Sequence, residues 1–109
     1  MLGGEVTLER CHVDHNRGGN GGAMDVSYSA RLNLLSSTVD FNIGETLTAA
    51  LYGSDHSTFN IQSSSLSSNT CANIGGALRL ETGCVLVMGG SVVSGNVAYS
   101  GAGLFCLRL

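Results

Sequence analysis

Four segments of the chain share one spacing, and that spacing restricts the fold more than any other property of the sequence. Val6, Leu8, Val13 and Asn16 are separated by two, five and three residues, and the same steps separate Leu32, Leu34, Val39 and Asn42. The pattern returns at Phe59, Ile61, Leu66 and Asn69 and at Leu86, Met88, Val93 and Asn96, so the copies begin 26, 27 and 27 residues apart. The first three points are always apolar and the fourth is always Asn. A second anchor keeps the same register: Met24, Leu51, Leu78 and Leu104 follow their Asn by 8, 9, 9 and 8 residues. Each anchor is preceded by two residues that are only Gly or Ala. Length varies only between the Asn and this small pair, as in a loop between fixed elements.

A repeat of this length admits few architectures. Helical repeats run to roughly 33–47 residues and need good helix formers, whereas this chain is rich in Gly, Ser and Asn, which favour turns. The apolar residues alternate at period two, as in Leu78, Leu80, then Leu86 and Met88, which reads as strand. The Leu-x-x-Leu-x-Leu frame of leucine-rich repeats is missing. What remains is an all-β parallel β-helix of about four rungs of 26–27 residues, each with about three short strands. Those strands are expected at the Gly-Gly-Ala-Met/Leu block, at the Val/Leu/Phe-x-apolar pair and at the Ser-x-Val/Leu segment before Asn.

Rungs about 4.8 Å apart put equivalent side chains in contact. Val13, Val39, Leu66 and Val93 then form one aliphatic pile, and Leu8, Leu34, Ile61 and Met88 another, each buried member contributing ~1.5–3 kcal/mol. Two columns of small residues, Gly4, Ala30, Ser57, Cys84 and Cys11, Ser37, Ser64, Ser91, mark tight turns. The column Asn16, Asn42, Asn69 and Asn96 suits an amide ladder, each side chain bonded to the next. Loss of Asn42 or Asn69, the central pair, is expected to cost more than loss of an outer Asn.

Composition removes whole functional classes. With 43% hydrophobic and 12% charged residues and no Pro, the chain resembles neither a disordered segment nor collagen. A net charge of −3, no Lys and no basic cluster argue against a nucleic-acid partner. No apolar run approaches the ~20 residues of a membrane helix, and Met1–Glu5 has no signal-peptide character. The ribbon opens partway through a rung and stops soon after the fourth Gly/Ala block, with no polar cap in sight. Residues 1–109 therefore read as a single β-helix segment, part of a longer protein or a short relative that self-associates end to end.

The candidates for chemistry are few. Asp14 and Asp40 share a column on adjacent rungs, where paired carboxylates would attract a cation or raise one pKa, as a carbohydrate-active β-helix with a basic residue or Ca²⁺ would need. The column continues as Ser67 and Ser94, and solvated turn residues are the preferred reading, so no catalytic residue is assigned. His12, His15 and His56 lack zinc spacing, and no Gly-x-Ser-x-Gly elbow exists. Gly18–Gly22 is read as a turn, because no Lys follows to complete a phosphate loop. Cys11, Cys71, Cys84 and Cys106 contain no Cys-x-x-Cys pair and are read as small buried hydrophobes. A secreted setting would allow disulfides, with Cys84–Cys106 the least awkward pair. No metal and no cofactor are expected.

The motifs Gly21-Gly22-Ala23-Met24 and Gly75-Gly76-Ala77-Leu78, with the four apolar-x-x-Asn segments, resemble the polymorphic outer membrane protein repeats of chlamydial autotransporters. Gly101-Ala102-Gly103-Leu104 is a degenerate copy, Thr48-Ala49-Ala50-Leu51 keeps only the end, and Val or Leu stands where that family prefers Phe. The resemblance implies a right-handed, pectin-lyase-like β-helical passenger, surface-displayed and adhesive, joined to a membrane barrel that this chain lacks. The expected role is thus a non-enzymatic extracellular or cell-surface segment, adhesin- or stalk-like. It would meet a host or matrix protein or a glycan through its lateral surface. The competing reading is a fragment of a carbohydrate-active β-helix using Asp14 and Asp40.

Overall fold

In a computed structural model the chain is a parallel β-solenoid of about three turns, without a helix among the described residues. The structure describes residues 3–19, 22–45, 50–72, 76–101 and 103–106, the last three by their main chain. Each turn passes through four strands rather than the three expected. The first turn comprises β1 (Glu5–Glu9), β2 (His12–Asp14), β3 (Arg17–Gly18) and β4 (Met24–Val26). The second comprises β5 (Arg31–Leu35), β6 (Thr38–Asp40), β7 (Ile43–Gly44) and β8 (Leu51–Gly53). The third comprises β9 (Thr58–Gln62), β10 (Ser65–Ser67), β11 (Thr70–Cys71) and β12 (Leu78–Leu80). Beyond these run β13 (Val85–Gly89), β14 (Val92–Ser94) and β15 (Leu104–Cys106), with Val97 bridging to Thr70. The strand that escaped the sequence reading is the two-residue β3/β7/β11 pairing just after each Asn. Two residues are too few to show alternation, and their pairing depends on the ladder beside them. Gly18, assigned to a turn, lies in β3, while positions 20 and 21 of that Gly-rich stretch fall outside the described residues.

The four sheets hold the register the columns required. Val6 pairs with Leu32 and Leu32 with Phe59, Val13 with Val39 and Val39 with Leu66, and Met24 with Leu51 and Leu51 with Leu78. Leu32, Leu34, Val39, Leu51, Phe59, Ile61 and Leu66 are fully buried, so the core is the axis of the coil in its middle turns. The same columns open at the flanking turns: Val6, Met88 and Val93 are 39%, 36% and 38% exposed. An inner residue has a copy above and below it; an end residue has one on one side only.

Two hydrogen-bonded ladders fix the corners. Asn16 Nδ2 donates to Asn42 Oδ1 at 3.0 Å, Asn42 to Asn69 at 2.9 Å and Asn69 to Asn96 at 2.9 Å. The same acceptor oxygens take the main-chain N–H of the preceding Asn, each at 3.0 Å. The small column Cys11, Ser37, Ser64, Ser91 proves to be a second ladder of the same design. The N–H of Cys11, Ser37 and Ser64 donates to the Oγ of the next Ser at 3.0–3.1 Å, and each Ser hydroxyl donates to the carbonyl two residues back. Both ladder residues follow a corner in the left-handed region, His15, Phe41, Ser68 and Gly95 before the Asn ladder and Arg10, Ser36, Ser63 and Gly90 before the Cys/Ser ladder. That corner swings the chain so that the next side chain points along the stack.

Packing is also matched between strands that follow one another along the coil. At Gly53 a Cβ would lie 2.4 Å from the Phe59 ring, so the missing side chain is the space Phe59 occupies. The flanking turns fill the same two columns with Val26 and Leu32, and with Leu80 and Leu86.

Candidate functional site

Asp14 and Asp40 are brought into register at the ends of β2 and β6, as their column requires. Around them, however, the ring contacts are mostly local. Asp14 lies 3.2 Å from His15 Nδ1, and the exposed His15 ring stacks on Phe41 of the next turn, with centroids 5.4 Å apart and planes 16° from parallel. The nearby guanidinium groups are engaged elsewhere, Arg17 with Glu45 at 3.2 Å and Arg10 with Glu9 at 3.5 Å. His12 Nδ1 meets Thr38 Oγ1 at 2.6 Å. Among the described residues no cluster of three His, Cys, Asp or Glu side chains is disposed to hold a metal ion.

A second set of ionisable groups lies on another face, the outward side of β4, β8 and β12. Register stacks Asp25, Tyr52 and Arg79 in one column, and Glu81 follows β12 directly. The Arg79 guanidinium grips Glu81 Oε2 through Nε at 2.7 Å and through a terminal nitrogen at 2.7 Å. The Tyr52 hydroxyl donates to Glu81 Oε1 at 3.0 Å. Arg79 and Glu81 keep only 11% and 19% of their side-chain exposure, so this pair is screened far less than a surface bridge. Burial, then the hydrogen bond to Glu81 and its charge, push the Tyr52 phenol up to about 12. Its O–H therefore remains a donor at any physiological pH. Both Glu81 oxygens are held by neighbours, so the cluster fastens two turns together rather than presenting a base to a substrate.

Sequence reading missed this cluster because Asp25, Tyr52, Arg79 and Glu81 are unlike residues. Repeat columns reveal like side chains, whereas complementary charges on successive rungs leave no such trace. The available signal was the alignment of Asp25, Tyr52 and Arg79 one place after the Met/Leu anchor.

The cysteines occupy their expected columns, Cys71 beside Gly44 and Cys106 beside Leu80. Cys71 is buried. Cys84 carries a half-buried free thiol, and burial raises its pKa, which keeps it in the weakly nucleophilic protonated form. The Cys106 side chain, and with it the Cys84–Cys106 pairing, lies outside the described residues. No helix among the described residues is long and apolar enough to cross a membrane. Comparison with protein-family profiles, curated proteins and solved structures finds no match for this chain.

Proposed function

We propose that this chain is a non-enzymatic segment of a right-handed β-helix in an extracellular or cell-surface protein, acting as a rigid stalk or adhesive surface. The observation that carries the reading is the contrast between the two sides of the ribbon. Inward columns repeat apolar on apolar and Asn on Asn from turn to turn, with Gly53 the one exchange that makes room for Phe59 among the described residues. Outward columns do not: Glu5, Arg31, Thr58 and Val85 share one, and His12, Thr38, Ser65 and Val92 another. A scaffold demands uniformity inside and leaves its lateral surface free to vary. The surface location rests on the resemblance of the Gly-Gly-Ala and apolar-x-x-Asn motifs to polymorphic outer membrane protein repeats. The lateral partner on this reading is a host or matrix protein or a glycan.

The competing reading, a carbohydrate-active β-helix, draws on the register pairing of Asp14 with Asp40. Incubating the chain with acidic and neutral polysaccharides, with and without Ca²⁺, separates the two. On the stalk reading no oligosaccharide is released, and immobilised chain retains a matrix protein or glycan without turnover. Release that disappears in Asp14→Asn or Asp40→Asn would replace the stalk with the enzyme.

A further inference from the structure

One lateral corner of the coil carries rings on two successive turns and then none. After β2, β6, β10 and β14 the corner residues are His15, Phe41, Ser68 and Gly95, all in the left-handed region with φ of 55–63°. Phe41 is 53% exposed, and one face of its ring is covered by His15, 5.4 Å away and 16° from parallel. The turn on its other side supplies only the hydroxymethyl group of Ser68, and the turn beyond supplies Gly95. Among the described residues no second ring and no cation stacks on Phe41.

Beside each ring stands a carboxylate. Asp14 pairs in register with Asp40, and each precedes a corner of nearly the same φ, so Asp40 stands to Phe41 as Asp14 stands to His15. Asp14 is answered within the chain, since its Oδ2 lies 3.2 Å from His15 Nδ1. Phe41 has no nitrogen to offer, and the Asp40 carboxylate has no ion pair among the described residues. The chain's own cations are committed elsewhere: Arg10, Arg17, Arg31 and Arg79 are held by Glu9, Glu45, Glu5 and Glu81, and there is no Lys. On the other flank of the corner Ile43 is 39% exposed. An open ring face, an unanswered carboxylate and an apolar flank thus adjoin on the side of the second turn.

From this geometry we infer that the corner docks an arginine side chain of a partner protein. The guanidinium lies flat on the open face of Phe41, drawn by the negative π-face, and its in-plane N–H groups fork onto the Asp40 carboxylate. Its methylene stem runs over Ile43. The turn before supplies the template: His15 lays a planar, nitrogen-bearing ring on one face of Phe41 with Asp14 at its edge. The ligand repeats that arrangement on the other face. Arginine suits both contacts because its charge is planar, whereas the compact ammonium of lysine cannot stack and fork together. A neutral glycan leaves Asp40 without a counter-charge. The inference rests on the adhesive-surface reading and names its partner as a protein segment that exposes arginine.

Titration of the isotope-labelled chain with the capped tripeptide acetyl-Gly-Arg-Gly-amide, followed by NMR, tests it. The expected result is amide shifts clustered at Asp40, Phe41 and Ser68, with upfield movement of the arginine methylene signals, as a ring beneath them requires. Phe41→Leu keeps apolar bulk but removes the π-face, and Asp40→Asn removes the charge. Each weakens binding about threefold or more, and Phe41→Tyr restores it. The lysine tripeptide binds more weakly, and the citrulline tripeptide, similar in shape but uncharged, does not bind measurably. Unchanged amide signals away from the corner check that each variant is folded. An arginine peptide that moves no amide at this corner, or that binds Phe41→Leu and Asp40→Asn chain as well as wild type, would overturn the inference. So would a neutral oligosaccharide or Ca²⁺ that moves these amides where the arginine peptide does not. Such results leave the stalk reading standing, because only polysaccharide release dependent on Asp14 and Asp40 overturns that.

Discussion

Asn42 and Asn69 hold the corner of the coil by serving three neighbours at once. Each accepts a main-chain N–H and an amide N–H from the turn before, donates to the turn after, and donates to a main-chain carbonyl of the turn before. Both are fully buried, so no water replaces a lost partner. Asn42→Ala or Asn69→Ala should cost about 3–5 kcal/mol, counting more than one buried group left unpaired. Asn16→Ala, at an exposed position with one turn beside it, should cost about 1 kcal/mol; chemical denaturation of the three variants orders them. A different residue governs the alkaline limit. The native state holds the Tyr52 proton more tightly than an unfolded chain, whose tyrosine titrates near 10, because the folded value is about 12. The stability this gives is complete below about pH 10 and disappears as pH climbs through the folded value. Thermal melts of Tyr52→Phe against wild type should therefore show a shallower decline between pH 10 and 12 in the variant.

Between strands, the decisive pairing is a void and the ring that fills it. Gly53 stands in a column otherwise held by Val26, Leu80 and Cys106, and it makes room for Phe59, which replaces the leucine of the neighbouring column. Gly53→Ala alone should destabilise by about 1–3 kcal/mol through overpacking. Adding Phe59→Leu should recover part of that loss, so the two changes are coupled rather than additive in a double-mutant cycle. The corners follow another rule. Most turns place Ser, Phe, His or Arg in the left-handed region at a cost of ~1–2 kcal/mol each, offset by the ladder bonds that the corner makes possible. The trailing turn uses Gly90 and Gly95 there, with φ of 55° and 63°, and its ladder residues have only one neighbour to repay strain.

Across the molecule, stability is graded along the stack. Each turn touches only the turns beside it, so cohesion is a sum of nearest-neighbour terms and the middle of the coil is its firmest part. Native-state hydrogen exchange should give the greatest protection to amides of β5 and β9 and the least to β1 and β13, whose open sides have lost a neighbour. Uniform protection from end to end would contradict this nearest-neighbour gradient.

The register of Val13 on Val39, of Leu34 on Ile61 and of Asn42 on Asn69 was legible from spacing alone. A stack of parallel strands leaves like residues at like intervals, and the period-two alternation within each copy marks them as strands. The paired placement of Asp14 and Asp40 was legible for the same reason. Three-dimensional packing alone decided that Glu81 is gripped by Arg79 and Tyr52, that Ser37 and Ser64 bond along the stack, and that Gly53 makes room for Phe59. Those contacts join unlike groups, or turn on which way a corner points a hydroxyl. Complementarity of charge, shape and bond direction is settled by where atoms meet, and a repeat records only that something recurs.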